Sequence, residues 1–389
     1  MKNFRFSLLR FVLFVGASHL FCASLSFATD NVSYLGVNTS VSSLSPLTMS
    51  WRTALEGVND QDSQSSGKFV SFHLNAKMDY QLAPQVLLNL NPQIRFESGS
   101  FQSVDGDRGN ESGVYFREAA AHWLFATNSR LSAGALDQST MHSDLLIGEQ
   151  AFPAARAKWQ MFEVHSWSMV LEAEDAIPTS MGLSTNTAGV EETPQFVSAS
   201  LALNYEPNPQ YHWDTRIGTF SYSHLPTAVA YQSSLRGNTV LSLTDNESIF
   251  VYNYEGVEAE TKARFPVMRG WDFISKAAYL QNDKADNKNS RAYELTAGSE
   301  FFFVGRKSLE VSFQAFRIEP DAAVSYFNSE NYFNNTNRIG YNIQSYINFK
   351  KYGFRIGVSY TDAEVIYLNP VQTRERSVLL KLETFYAKI

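Results

Sequence analysis

Between Val86 and Glu97 the chain reads VLLNLNPQIRFE, and every second residue is apolar: Val86, Leu88, Leu90, Pro92, Ile94 and Phe96. Most of the residues between are polar or charged: Asn89, Asn91, Gln93, Arg95 and Glu97. A repeat of two belongs to an extended strand whose two faces meet different surroundings. In a soluble sandwich the apolar face lies on a core. In an outer-membrane barrel it lies on lipid, and the polar face lines a wet lumen.

The alternation recurs along the chain, and it predicts sixteen strands. They fall at 46–57, 68–82, 85–97, 113–125, 129–137, 157–165, 167–175, 195–205, 211–223, 248–264, 270–281, 291–303, 307–317, 338–349, 353–364 and 376–387. In SVLLKLETFY, for example, Val378, Leu380, Leu382, Thr384 and Tyr386 share the outward face, while Lys381 and Glu383 point inward. The connections constrain the fold further. Tight turns at 83–84, 126–128, 166, 206–210, 266–269, 304–306 and 350–352 alternate with long polar segments at 58–67, 98–112, 138–156, 176–194, 224–247, 282–290, 318–337 and 365–375. A sandwich with crossing connections has no reason to sort its loops by length, whereas an up-and-down barrel carries short turns on one rim and long loops on the other.

The polar faces agree with a barrel. Lys77, Arg95, Glu258, Glu260, Arg355 and Lys381 all lie opposite the apolar side. A water-filled lumen receives such charges without burying them unpaired, and barrels of about sixteen strands leave an aqueous channel. The expected class is therefore all-β, a transmembrane antiparallel barrel, with the apolar face of 86–97 toward lipid. Pro92 cannot donate a ladder hydrogen bond, so a bulge or kink is expected there.

The first residues, MKNFRFSLLRFVLFVGASHLFCASLSFATD, place Lys2, Arg5 and Arg10 before a short apolar run and a small-x-small site at Ser26-Phe27-Ala28. This reads as a signal peptide, residues 1–28, followed by a leader over 29–45 and a barrel over 46–389. Its removal takes away three basic residues and no acid, so the mature chain is more acidic than the formal charge of −7. Such a balance argues against nucleic acid as a partner and suits a pore with a weak preference for cations. Cys22 is the sole cysteine, so the mature chain has no thiol chemistry, no disulfide and no cysteine metal site.

Taken together, the signal peptide, the strands, the loop alternation and the segment REAAAHWLFATNSRLSAGALDQS at 117–139 resemble a Gram-negative general porin. The resemblance implies an outer-membrane location and a water-filled channel for passive diffusion of small hydrophilic solutes and ions. It implies lipid and lipopolysaccharide as surroundings, no cofactor, and a homotrimer as an assembly that the sequence leaves open. It also implies that the third long loop, 138–156, folds into the lumen and narrows it. Asp144 and Glu149 are the acids of that loop, set against the inward bases Arg95, Lys77, Arg130 and Arg156.

Other chemistry is less well supported. DGDRGNESG at 105–113 has some acids of a calcium loop but lacks the third acid and the distal Glu. Ser139, His142, Ser143 and Asp144 cluster in the third loop without a nucleophile elbow, so no enzyme is expected. A substrate-specific transporter, an adhesin and a barrel enzyme stay open as alternatives.

Overall fold

The computed structural model describes residues 47–61, 65–103, 112–180, 183, 190–244 and 247–388. The leader and most of the 105–113 segment lie outside the described residues. Sixteen long strands make up the described chain: β1 (Leu47–Gln61), β2 (Ser65–Ala83), β3 (Val86–Ser103), β4 (Gly113–Ala126), β5 (Ser129–Asp137), β6 (Ala151–Val164), β7 (Trp167–Ala176), β8 (Gln195–Asn208), β9 (Tyr211–Ser223), β10 (Glu255–Met268), β11 (Trp271–Asn282), β12 (Arg291–Phe303), β13 (Lys307–Ile318), β14 (Arg338–Phe349), β15 (Phe354–Val365) and β16 (Glu375–Thr384). Each pairs antiparallel with its neighbours in sequence. β1 pairs with β16 from Ala54↔Glu383 to Gln61↔Arg376, which closes the sheet into a barrel. Closure leaves no bare edge, as a sheet in lipid requires. Among the described residues no helix is long and apolar enough to cross a membrane.

The two faces separate as the alternation demands. Leu90, Phe96, Leu201, Ile217, Leu295 and Ile343 are exposed on the outside, and Ser71, Asn91, Ser200, Glu260, Asn342 and Glu383 are buried on the inside. Near the tight turns, aromatic rings run from strand to strand around the outside. Trp167 lies 4.4 Å from Tyr205 and 5.7 Å from Trp213, Tyr211 reaches Phe265 at 6.1 Å, and Trp271 stacks on Phe301 at 5.9 Å. Rings with a polar edge suit the boundary between hydrocarbon and headgroups.

Four expectations need correction. The first outer connection is not the long loop 58–67, because β1 and β2 continue their ladder outward to Gln61 and Ser66. The expected strand 248–264 merges two elements. Glu247–Phe250 pairs with Val240–Thr244 as a small hairpin within the outer loop, and the barrel strand begins only at Glu255. β6 begins at Ala151 rather than 157, so the third loop is 138–150. Tyr386 does not share the outward face of β16, since its ring lies beneath Arg52 and Lys77 of the inner wall.

Pro92 produces the expected irregularity, and the bulge falls on its partner. In the β3–β4 ladder Asn91 faces Glu118 but Pro92 faces Phe116, so Arg117 is the extra residue. A bulge re-aims the side chain it carries, and that of Arg117 enters the lumen.

At the long-loop end the lumen is not uniformly wet. Inward residues there are apolar: Phe152, Phe196, Tyr222, Leu280, Phe316 and Ile318 are all buried. Leu145, Leu146 and Ile147 of the third loop pack with them, as do Val229 of helix α1 (Thr227–Ser234) and Val324, Phe327 and Tyr332 of the 319–337 loop. The loops thus enclose a hydrophobic core against the barrel's own inner wall. Within it, Asp321 accepts hydrogen bonds from the Thr239 N–H and hydroxyl at 2.8 and 2.7 Å. Burial nevertheless raises the Asp321 carboxyl above the usual carboxylate range. Because burial opposes the charged form more than the hydrogen bonds favour it, packing of this carboxyl is most stable in acid, below the unfolded value, and that stability is lost as pH rises through the folded one. Hydrogen exchange of the 319–337 amides, corrected for intrinsic rates, should show greater protection at pH 4 than at pH 7.

Candidate pore constriction

The third loop leaves β5 through a single 3-10 turn, Gln138–Thr140, capped by Asp137, whose carboxylate accepts from the Ser139 N–H. It is then fastened at three points. At the first, Arg156 of β6 donates from Nε to Glu174 at 2.5 Å and from Nη1 to Thr140 at 2.8 Å. At the second, Glu258 of β10 takes His142 Nδ1 at 2.6 Å and the Ser143 N–H and hydroxyl at 3.1 and 3.0 Å. At the third, Lys276 of β11 donates to Asp144 at 2.7 Å. The far side of the loop meets the 319–337 loop. Gly148 donates to the Phe327 carbonyl at 2.8 Å, and a Cβ on Gly148 would come within 2.8 Å of the Ser329 backbone. Only glycine fits that approach.

His142 Nε2 also lies 3.3 Å from Ser198 Oγ. Glu258, His142 and Ser198 therefore form a carboxylate–imidazole–hydroxyl series of the kind that activates a nucleophile. All three are buried, at 3%, 2% and 3% exposure. The hydroxyl faces the packed loop, so the series acts as a tether.

Of the residues singled out from the sequence, Asp144 and Arg156 serve as anchors. Arg95 is paired with Glu97 at 2.8 Å. Arg130 lies inward on β5 with its Nε unpartnered. Lys77 and Glu149 are the two that stand exposed to the lumen. Glu149 is held by Arg117 Nη1 at 2.7 Å, while Arg117 Nε donates to Asp137 at 2.6 Å. Lys77 lies within electrostatic range of that same Arg117. Its ammonium sits 4.5 Å from the centre of the Tyr386 ring, and the Arg52 guanidinium lies 5.1 Å from it. The acids expected opposite Lys77 and Arg95 are taken up by other bases: Glu149 by Arg117 and Asp144 by Lys276, while Arg95 pairs with Glu97.

Arg117, Lys276, Glu258 and Tyr386 were not identified as site residues from sequence. Arg117 alone left a signal there, because Pro92 requires a bulge nearby. Among the described residues no group of three or more His, Cys, Asp and Glu side chains gathers in a way that could hold a metal.

No family model and no curated protein sequence matches the chain. Solved structures do. The chain is similar to a high-pH structure of Pseudomonas putida OprB, with a TM-score of 0.56 at 10% identity, covering 87% of this chain and 94% of that one. It is also similar to Salmonella typhi OmpF in complex with daunomycin, with a TM-score of 0.51 at 10% identity, covering 87% of this chain and 97% of that one. A low-pH structure of P. putida OprB matches with a TM-score of 0.51 at 8% identity, covering 87% and 92%. Identity so low speaks to the fold alone. With the closed sheet, the apolar outside and the charged inside, it gives the chain a porin-like β-barrel fold of sixteen antiparallel strands.

Proposed function

We propose that the protein is an outer-membrane channel for passive diffusion of small hydrophilic solutes and ions, narrowed by loop 138–150, with its long loops facing outside the cell. The observation that carries this reading is the loop itself. It lies within the lumen, fastened by Arg156, Glu258 and Lys276, and its exposed Glu149 is held by Arg117, which in turn acts through space on Lys77. Charged groups gathered on the lining of a narrow passage set up a local field that orders water and sorts solutes by charge. Glu149 and Lys77, with Arg130 further along the inner face of β5, are the groups proposed to meet solute. Asp144, Arg95 and Arg156 serve by holding the passage in shape.

The same reading takes in lipid and lipopolysaccharide around the apolar wall and homotrimers in the membrane. It favours a channel over a barrel enzyme because Ser198 is covered, and over an adhesin because the loops turn inward. Purified protein in a planar bilayer should give discrete steps whose conductance rises with salt. Deleting 143–149 should raise the step conductance in a properly folded barrel. Unchanged conductance would show that the loop is not the constriction.

A further inference from the structure

We propose that Lys77, Arg52 and Tyr386 form an anion-holding step on the lumen wall, which takes the carboxylate or phosphate group of a small solute on its way through. This rests on the channel reading and assigns a substrate class to it.

The argument begins with charge. Inward bases on this side of the barrel are generally neutralised within the chain: Arg95 by Glu97, Arg117 by Asp137 and Glu149, Lys381 by Glu56, Arg355 by Glu383. Lys77 is not. It is exposed to the lumen, and among the described residues no carboxylate comes within ion-pair distance of its ammonium. Asp79 and Asp137 act on it only through space. Asp79 accepts a hydrogen bond from Asn89 at 2.7 Å, and Asp137 is taken up by Arg117 and Ser139.

Arg52 adds a second incompletely used cation. Its Nη1 lies 3.5 Å from Glu383, and its Nε is buried without a partner. Both cations lie over one ring, Tyr386, at 4.5 and 5.1 Å. An aromatic face attracts cations without accepting all their hydrogen bonds. It therefore steadies the two side chains and leaves the exposed Lys77 ammonium free for a ligand.

Two like charges gathered on one ring, beside the already occupied Arg117, form a positive spot in a chain that is acidic overall. If cancelling charge were the sole need, a carboxylate on the wall would meet it. The structure leaves that place to a group from solution. Conduction requires such a site to be weak enough to release what it holds, and a single free ammonium supported by a ring meets that condition.

The test uses the full purified protein in planar bilayers under potassium chloride, with inorganic phosphate, succinate or glucose added to one side. Phosphate, succinate or both should reduce the single-channel current in a concentration-dependent way, and glucose should not. Block by phosphate alone assigns the site to phosphate-bearing solutes, block by succinate alone to carboxylates, and either supports the proposal. Lys77→Gln should raise the half-blocking concentration about tenfold, near the worth of one charge-assisted hydrogen bond, while Lys77→Arg should keep it. Heat-modifiable gel migration shows that each variant is folded. Channels that neither anion blocks, or that are blocked equally in wild type and Lys77→Gln, overturn the anion step and leave the channel reading standing. A folded barrel that gives no conductance steps overturns the channel reading and this proposal with it.

Discussion

A Leu90→Arg chain should fail to assemble in lipid, whereas Gln93→Arg should fold almost as well as the parent. Both residues lie on β3, three positions apart and on opposite faces. Leu90 is 42% exposed on the outer wall, while Gln93 faces the lumen, its amide 3.2 Å from His73 Nδ1. A guanidinium on the lipid face near the midplane costs about 2–4 kcal/mol, a large share of the stability of an ordinary domain. In the lumen the same group keeps its water. Folding yield into detergent or vesicles, read from the heat-modifiable band, measures the contrast directly. Equal yields would mean that the apolar face does not meet lipid.

The second large effect is expected at Lys276. One ammonium lies 2.7 Å from Asp144, 3.1 Å from Glu294 and 3.4 Å from Glu260. Tyr332 also donates to Glu294 at 2.6 Å, which ties the 319–337 loop into the same group. Lys276→Met keeps the length of the stem and removes the charge that these carboxylates share. Breaking a buried pair from one side costs about 3–5 kcal/mol, and here three acids lose one partner. The third loop should loosen at its Asp144 anchor, with a lower unfolding temperature and a noisier open channel. Asp144→Asn with Glu294→Gln in the same chain should recover part of the loss. A quiet channel of parental stability in Lys276→Met would show that the loop is held by its apolar contacts alone.

The sequence revealed the walls of the barrel more fully than it revealed the lumen. Strands that alternate cleanly, such as Tyr211–Ser223, Arg291–Phe303 and Arg338–Phe349, have the expected boundaries, because lipid on one side and water on the other impose a period of two at every residue. The signal weakens where both faces are apolar. Phe152 points into the loop core rather than into water, so the first turns of β6 do not alternate and were assigned to the loop. It also misleads where a loop contains its own ribbon, since residues 247–250 alternate like a barrel wall. At the candidate site the alternation shows residue type and face, as for Lys77 on the inner side of β2. Which acid meets which base depends on the depth and tilt of the loop, set by contacts such as Glu258 with His142 that lie more than a hundred residues apart in the chain.

The seam between β1 and β16 bears on how the barrel can form. Every other ladder among the sixteen strands joins strands consecutive in sequence, but at this seam Thr53 meets Thr384 across 331 residues. Until β16 arrives, the growing sheet has two bare edges, and each unpaired backbone group would cost several kcal/mol in hydrocarbon. The strand that pairs with β1 is therefore the one that makes the rest admissible to the membrane. A chain cut short before Glu375 would have fifteen well-patterned strands and no way to close them. Barrel closure thus makes membrane compatibility an all-or-none property of the strand set, since fifteen strands offer lipid two edges and sixteen offer none.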